Sequence, residues 1–149
     1  MSPSPVLVAD GIENPWNARA LCDAAAMFGT ACLFRDQGSL ARAWSETIAP
    51  RPAESPGSPG AARQELQVIS REALQRDYAP IVALDNLPGA KSVYGFRLPG
   101  AAGCACPAVI VGNERRGVSR AVQALADCAI EIPMASRSLN CLNVAAACR

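Results

Sequence analysis

The chain has 149 residues, half of them hydrophobic, 18% charged and 5% aromatic, a balance that predicts one folded domain over residues 1–149 rather than a disordered chain. Fourteen Lys and Arg against thirteen Asp and Glu leave a net charge of +1, without the strong basic excess of a non-specific polyanion binder. No histidine is present, which excludes Ser-His-Asp and Cys-His nucleophiles, a histidine base and any histidine-containing zinc site.

Short apolar runs alternate with helical patterns along the chain, the signature of an α/β fold with a mainly parallel sheet flanked by helices. Residues 5–10 read as the first strand. A helix is expected from Asn14, a good N-cap followed by Pro15, to Phe28, with Gly29 just past its end. Leu21, Ala24, Ala25 and Phe28 recur at helical spacing and predict its buried stripe. Residues 31–35 form a second strand, and 38–48 hold a short helix. Pro50, Pro52, Pro56 and Pro59 with Gly57 and Gly60 make 49–62 an irregular surface loop within the domain. Regular structure resumes at 66–70, followed by a helix near 71–77 and a strand at 80–84. A Gly/Pro-rich stretch covers 86–106. A strand at 108–112, a helix at about 119–126, a strand at 129–133 and a last helix from about Leu139 or Asn140 complete the chain.

The seven cysteines, Cys22, Cys32, Cys104, Cys106, Cys128, Cys141 and Cys148, form no C-x-x-C pair. An odd count in apolar, alanine-rich surroundings predicts reduced thiols packed as small hydrophobes rather than a disulfide framework or metal site. No run reaches the 18 or so apolar residues of a membrane span, and residues 1–5 lack the basic start of a signal peptide. A cytoplasmic location without membrane attachment is expected.

Leu84, Gly112 and Ile132 each fall near the C-terminal end of a predicted strand, where open α/β sheets form their ligand crevice. Gly112 allows close backbone approach, and the turn from there to Ser119 is expected to present backbone N–H groups. Such a pocket can bind a nucleoside through main-chain contacts, with neither histidine nor metal. No G-x-G-x-x-G follows the first strand, which disfavours a dinucleotide-binding oxidoreductase.

Three segments stand out: Asn14-Pro15-Trp16-Asn17 through Phe28-Gly29, the stretch Val111-Gly112-Asn113-Glu114-Arg115-Arg116-Gly117-Val118-Ser119, and Ile132-Pro133-Met134-Ala135-Ser136-Arg137-Ser138-Leu139-Asn140. In type and order they resemble the three motifs of the SpoU (TrmH-like) RNA 2′-O-ribose methyltransferases of the SPOUT superfamily. With the intervening strands, the resemblance covers nearly the whole chain. The spacing of residues 136–143 looks most like the small single-domain subgroup that methylates the tRNA wobble ribose.

The resemblance implies a SPOUT-like α/β knot whose last segment threads a loop as a C-terminal trefoil, an exception to the rule against knotted chains. It also implies a homodimer acting on structured RNA, tRNA or rRNA, with S-adenosylmethionine as cofactor and no metal. By matching position, the cofactor would lie against Leu84, Gly112, Asn113, Ile132, Met134, Ser138, Leu139 and Asn140. Asn17 and Glu114 match polar active-site positions, with Ser138 and Asn140 joining them. Two plainer readings stay open: Asn17 as a helix cap, and Glu114 as a favourable charge at a helix N-terminus. Arg115, Arg116, Arg120 and Arg137 lie in or near the second and third motifs, either as phosphate contacts or as solvated surface.

The first motif departs from the family. Five residues before its phenylalanine the family carries an arginine that acts on the ribose hydroxyl; here that position is Asp23. Where the family favours glycine, two residues after the second asparagine, this chain has Arg19. Three explanations compete. Arg19 reaches the site from one turn away, with Asp23 orienting it or serving as base. Alternatively the chain binds cofactor or RNA without transferring methyl groups. In the third, Arg19 and Asp23 form a surface ion pair and the site is arranged otherwise. The last helix is a second departure: it has about ten residues, or about 15 Å, where the family's dimer-forming helix runs longer.

Overall fold

In the computed structural model of the chain, residues 4–35, 38–47, 65–98, 106–135 and 143–148 are described. The first unit is β1 (Val6–Asp10), α1 (Pro15–Met27) and β2 (Cys32–Arg35), with the two strands parallel. Helix α1 starts where its cap requires: Asn14 Oδ1 accepts the Trp16 N–H at 2.9 Å and Pro15 occupies the first turn. It buries Ala18, Leu21, Cys22, Ala24 and Ala25, side chains small enough to bring the helix close to the sheet. Gly29, at φ +65°, supplies the left-handed residue that ends it. Phe28, expected on the buried stripe, instead caps the helix and is largely exposed.

Next come α2 (Ser39–Thr47), α3 (Arg71–Asp77), β3 (Tyr78–Leu84), β4 (Lys91–Ser92), a single 3-10 turn (Val93–Gly95), β5 (Cys106–Gly112), α4 (Arg120–Gln123), β6 (Cys128–Glu131) and α5 (Val144–Ala147). Among the described residues the six strands form one parallel sheet in the order β2-β1-β5-β3-β6-β4. Alternate residues of each strand face opposite sides. Ala9 and Val111 pack with Leu21, Leu40, Trp44 and Val144, so α1, α2 and α5 cover one face. Val8 and Ile110 pack with Leu74 and Val122, so α3 and α4 cover the other.

The chain runs from β1 outward to β2, then returns across β1 to place β3, and later inserts β5 between them. This reversal opens a crevice beyond the strand ends. Register brings Asp10 beside Gly112 and Leu84 beside Val111 and Ile130, so three strand ends finish at one level.

Three expectations need correction. The stretch 66–70 is no strand: it makes a single parallel bridge, Phe34 with Val68, at the β2 edge. Helix α4 spans only Arg120–Gln123, because Asp127 is drawn away to β3, its carboxylate accepting the Ile81 N–H at 2.7 Å. The Gly/Pro-rich stretch hides an edge strand, β4, paired with β6. The last helix begins at Val144 among the described residues; its expected start near Leu139 or Asn140, and the 49–62 loop, lie outside them.

Cys22, Cys32, Cys106, Cys128 and Cys148 are free thiols; Cys104 and Cys141 lie outside the described residues. A hydrogen bond with Cys22, reinforced by burial, holds the Cys32 thiol far above its ordinary range, and burial pushes Cys148 up to about 11. Both are therefore neutral packing groups at physiological pH. Among the described residues no helix is long and apolar enough to cross a membrane.

Candidate functional site

The loops after β3, β5 and β6 meet in a cleft of about 290 Å³. Leu84, Ile132 and Met134 give it an apolar wall, while Gly112, Asn113 and Glu114 line its β5 side. A wider recess of about 530 Å³ lies alongside, lined by Trp16 and Asn17 of α1 and by Thr47 of α2. Glu114 and Arg115 border both.

The β5 loop is a tight turn held from several directions. Asn113 is buried; its Nδ2 donates to the Gly11 carbonyl at 2.7 Å, and its Oδ1 accepts the Arg115 and Arg116 N–H groups at 2.9 and 3.0 Å. Asn113 and Gly117 exchange backbone hydrogen bonds at 3.0 and 2.9 Å. Asp85 accepts the Val118 N–H at 2.9 Å, and Asp10 accepts the Ser119 N–H at 2.7 Å. The N–H groups expected to face a ligand are thus committed inside the protein: residues 113 and 115–119 all have internal acceptors. Gly112 has a structural reason as well. A Cβ there would stand 2.1 Å from the Gly117 carbonyl carbon and the Val118 nitrogen, leaving no room for any side chain.

Glu114 reaches out of this turn to the start of α1. Its carboxylate accepts the Asn17 Nδ2–H at 3.1 Å and the Asn14 N–H at 3.3 Å, with the Glu13 N–H at 3.5 Å. Asn17 in turn accepts from Asn143 Nδ2 at 3.2 Å, just ahead of α5. All three segments that stand out in the sequence, or their immediate neighbours, are therefore joined by one polar chain, Asn143–Asn17–Glu114. Partial burial pushes the Glu114 carboxyl upward, but Asn17 and the backbone donors of Glu114, Asn14 and Glu13 outweigh it and hold the group below its ordinary value. It is a firm carboxylate. The cap of α1 is Asn14, so Asn17 is free of that duty, and the helix N-terminus that Glu114 serves is that of α1 rather than α4.

Arg19 and Asp23 pair with each other at 3.1 Å on the outer face of α1, their side chains 46% and 55% exposed, and neither lines the cleft or the recess. Arg116 pairs with Glu13. Arg115 is exposed and has no ion-pair partner among the described residues. Arg120 is exposed at the start of α4. Arg137, Ser138, Leu139 and Asn140 lie outside the described residues. Sequence reasoning missed Asn143, Asp10 and Asp85. The two acids carried a signal, since each ends an apolar strand where an unpartnered charge is costly; Asn143 carried none.

A parallel sheet with helices on both faces, and a ligand-sized cleft where three strand ends converge, defines an open α/β protein with a strand-end crevice. The chain belongs to the SpoU rRNA methylase family, whose model matches residues 4–149. Among solved structures it is similar to an AdoMet-bound rRNA methyltransferase from Sinorhizobium meliloti (16% identity, TM-score 0.70, covering 99% of this chain and 54% of that one). It also resembles the SpoU methyltransferase AviRb of Streptomyces viridochromogenes with AdoMet (19%, 0.66, 99% and 55%). A third likeness is to a structure on the 2-OH methylation of C/U34 on tRNA (22%, 0.65, 98% and 90%). The chain spans just over half the length of the first two. Comparison with curated proteins finds no match.

Proposed function

We propose that this chain is one SpoU-type domain that binds S-adenosylmethionine in the strand-end cleft and methylates a ribose 2′-oxygen of tRNA or rRNA. The observation carrying this reading is the convergence of Leu84, Gly112 and Ile132 on one cleft of about 290 Å³. That lining suits an adenosyl ligand, with an apolar wall for the base and polar groups at the β5 side for the rest. Leu84, Ile132 and Met134 would flank the adenosine and Gly112 and Asn113 would shape the floor, with Ser138, Leu139 and Asn140 as the further contacts that the family likeness implies. The cofactor, when bound, supplies an electrophilic sulfonium methyl.

The chain's own part is positioning. Glu114, held ionised by its donors, is too weak a base to drive proton removal at neutral pH; it fixes Asn17, which keeps a second N–H and a second lone pair for the ribose. The recess beside it would hold the RNA, with Arg115, Arg116, Arg120 and Arg137 on phosphates. The proton released from the ribose hydroxyl goes to solvent water. A homodimer that uses the last helix, a cytoplasmic location and independence from metal complete the reading.

A second reading is favoured by one observation: Arg19 is paired with Asp23 on the outer face of α1, at the position where the family likeness implies an arginine. A chain of this kind binds cofactor or RNA without turnover. Calorimetry with S-adenosylmethionine, then methyl incorporation into unfractionated tRNA and rRNA, separates the two. Binding with incorporation supports the enzyme. Binding without incorporation, converted to incorporation by Asp23→Arg, supports the second reading; no cofactor binding overturns the enzyme, and no binding of either cofactor or RNA overturns both.

A further inference from the structure

We propose that Trp16 is a stacking platform for a nucleobase of the RNA, in the recess bordered by Arg115. This rests on the methyltransferase reading and adds the residue that grips the nucleotide. Trp16 is 64% exposed, whereas the chain's other tryptophan, Trp44, is 8% exposed in the core. Its backbone is not free to swing away: the Asn14 side chain accepts its N–H at 2.9 Å, and Pro15 precedes it in the first helical turn. A large aromatic ring is thus held at the lip of a recess of about 530 Å³ and left uncovered.

The charges around the recess select the occupant. Glu13 and Glu114 both line it, but Glu13 is paired with Arg116 and Glu114 is committed to donors at the start of α1. Glu114 keeps its negative charge but turns its lone pairs to Asn17 and the start of α1, whereas Arg115 has no ion-pair partner among the described residues and so offers its guanidinium to an incoming anion. A fixed exposed ring beside a free guanidinium suits a group that is flat and apolar at one end and anionic at the other. A nucleotide has both, with its base on the ring and its phosphate on the cation. Glu114 and Arg115 border the cofactor cleft too, so a nucleotide gripped here lies next to the cleft.

The test uses the full chain with Trp44→Phe, which leaves Trp16 as the one tryptophan, excited selectively over the two tyrosines and titrated with unfractionated tRNA. RNA binding is followed independently by gel retardation and cofactor affinity by calorimetry. Expected are quenching of Trp16 emission on RNA binding and weaker RNA affinity in Trp16→Ala, by roughly tenfold within the 5- to 150-fold range of a stacking contact. Trp16→Phe should recover most of that loss, and cofactor affinity should stay within about twofold. Trp16 is exposed and contributes little to the core, so the variant should fold, and circular dichroism checks it. RNA retardation with unquenched Trp16 and unchanged affinity in Trp16→Ala overturns the inference while leaving the methyltransferase reading intact. A blue-shifted emission that depends on protein concentration and ignores RNA also overturns it, assigning the recess to a second copy of the chain. Cofactor binding with no RNA retardation fails both, through the RNA half of the proposed function.

Discussion

The strand ends and the outer face of α1 hold contacts of equal length and unequal weight. Asp10 with Arg35, Asn17 with Glu114, and Arg19 with Asp23 each measure 3.1 Å. The first joins side chains only 5% and 20% exposed, and Asp10 also anchors the Ser119 N–H of the β5 turn. The second is part-buried and links positions 97 residues apart. The third lies one helical turn apart in solvent, where the helix has already fixed both backbones. Distance alone does not rank them. Burial removes competing water, and long sequence separation makes a contact fix tertiary structure that nothing local would fix.

The largest expected effect tests the buried end. Asp10→Ala strips the charge partner from Arg35, whose Nε already lacks one, and should cost about 3–5 kcal/mol in chemical denaturation. A loss below about 1 kcal/mol would erase the distinction drawn here. Gly112→Ala comes next. Its methyl would meet backbone at 2.1 Å, and the forced shift of the β5 turn should cost about 1–3 kcal/mol and weaken cofactor binding together with stability. Asn17→Ala leaves Glu114 and Asn143 each short of a partner; about 1–2 kcal/mol of stability should disappear.

Acid sharpens the same contrast. The Glu114 carboxyl is held below its ordinary value of 4.5, so the folded chain favours the ionised form more than the unfolded chain does. Its contribution is complete above about pH 4.5 and fades as pH falls through the lower folded value. The stability gap between wild type and Glu114→Gln should therefore narrow below that pH, and a gap constant from pH 7 to pH 3 contradicts the assignment. The smallest effect is at the exposed pair. A double-mutant cycle on Arg19 and Asp23 should return a coupling of about 0.3–0.5 kcal/mol, and Arg19→Ala should keep full turnover in an active chain. Lost turnover with unchanged stability would restore Arg19 to the site.

Elements with local signals were legible. The Asn14 cap, Pro15 and Gly29 bracket α1 within a residue or two of its observed ends, and the apolar runs name β1, β2, β3, β5 and β6, the last three of which carry the cleft. What failed locally had a nonlocal cause: β4 exists only because β6 offers it an edge, and α4 stops where β3 captures Asp127. At the site, Leu84, Gly112 and Ile132 could be picked out because strand ends are where parallel sheets open. The fate of the turn's N–H groups could not, since their acceptors come from Asp10, Asp85 and Asn113 on three different strand ends.

The amino-acid sequence determined by itself the alternation of strands and helices and the three segments that carry the family likeness, because periodicity, caps and motif spacing act over a few residues. Only the tertiary structure decided that Asn17 serves Glu114 and Asn143 rather than a helix cap, that Arg19 and Asp23 face away from the cleft, and that Trp16 is left bare beside Arg115, which has no ion-pair partner among the described residues. Those outcomes depend on strand order and register, which bring together residues about a hundred positions apart, and no local rule in the chain encodes that meeting.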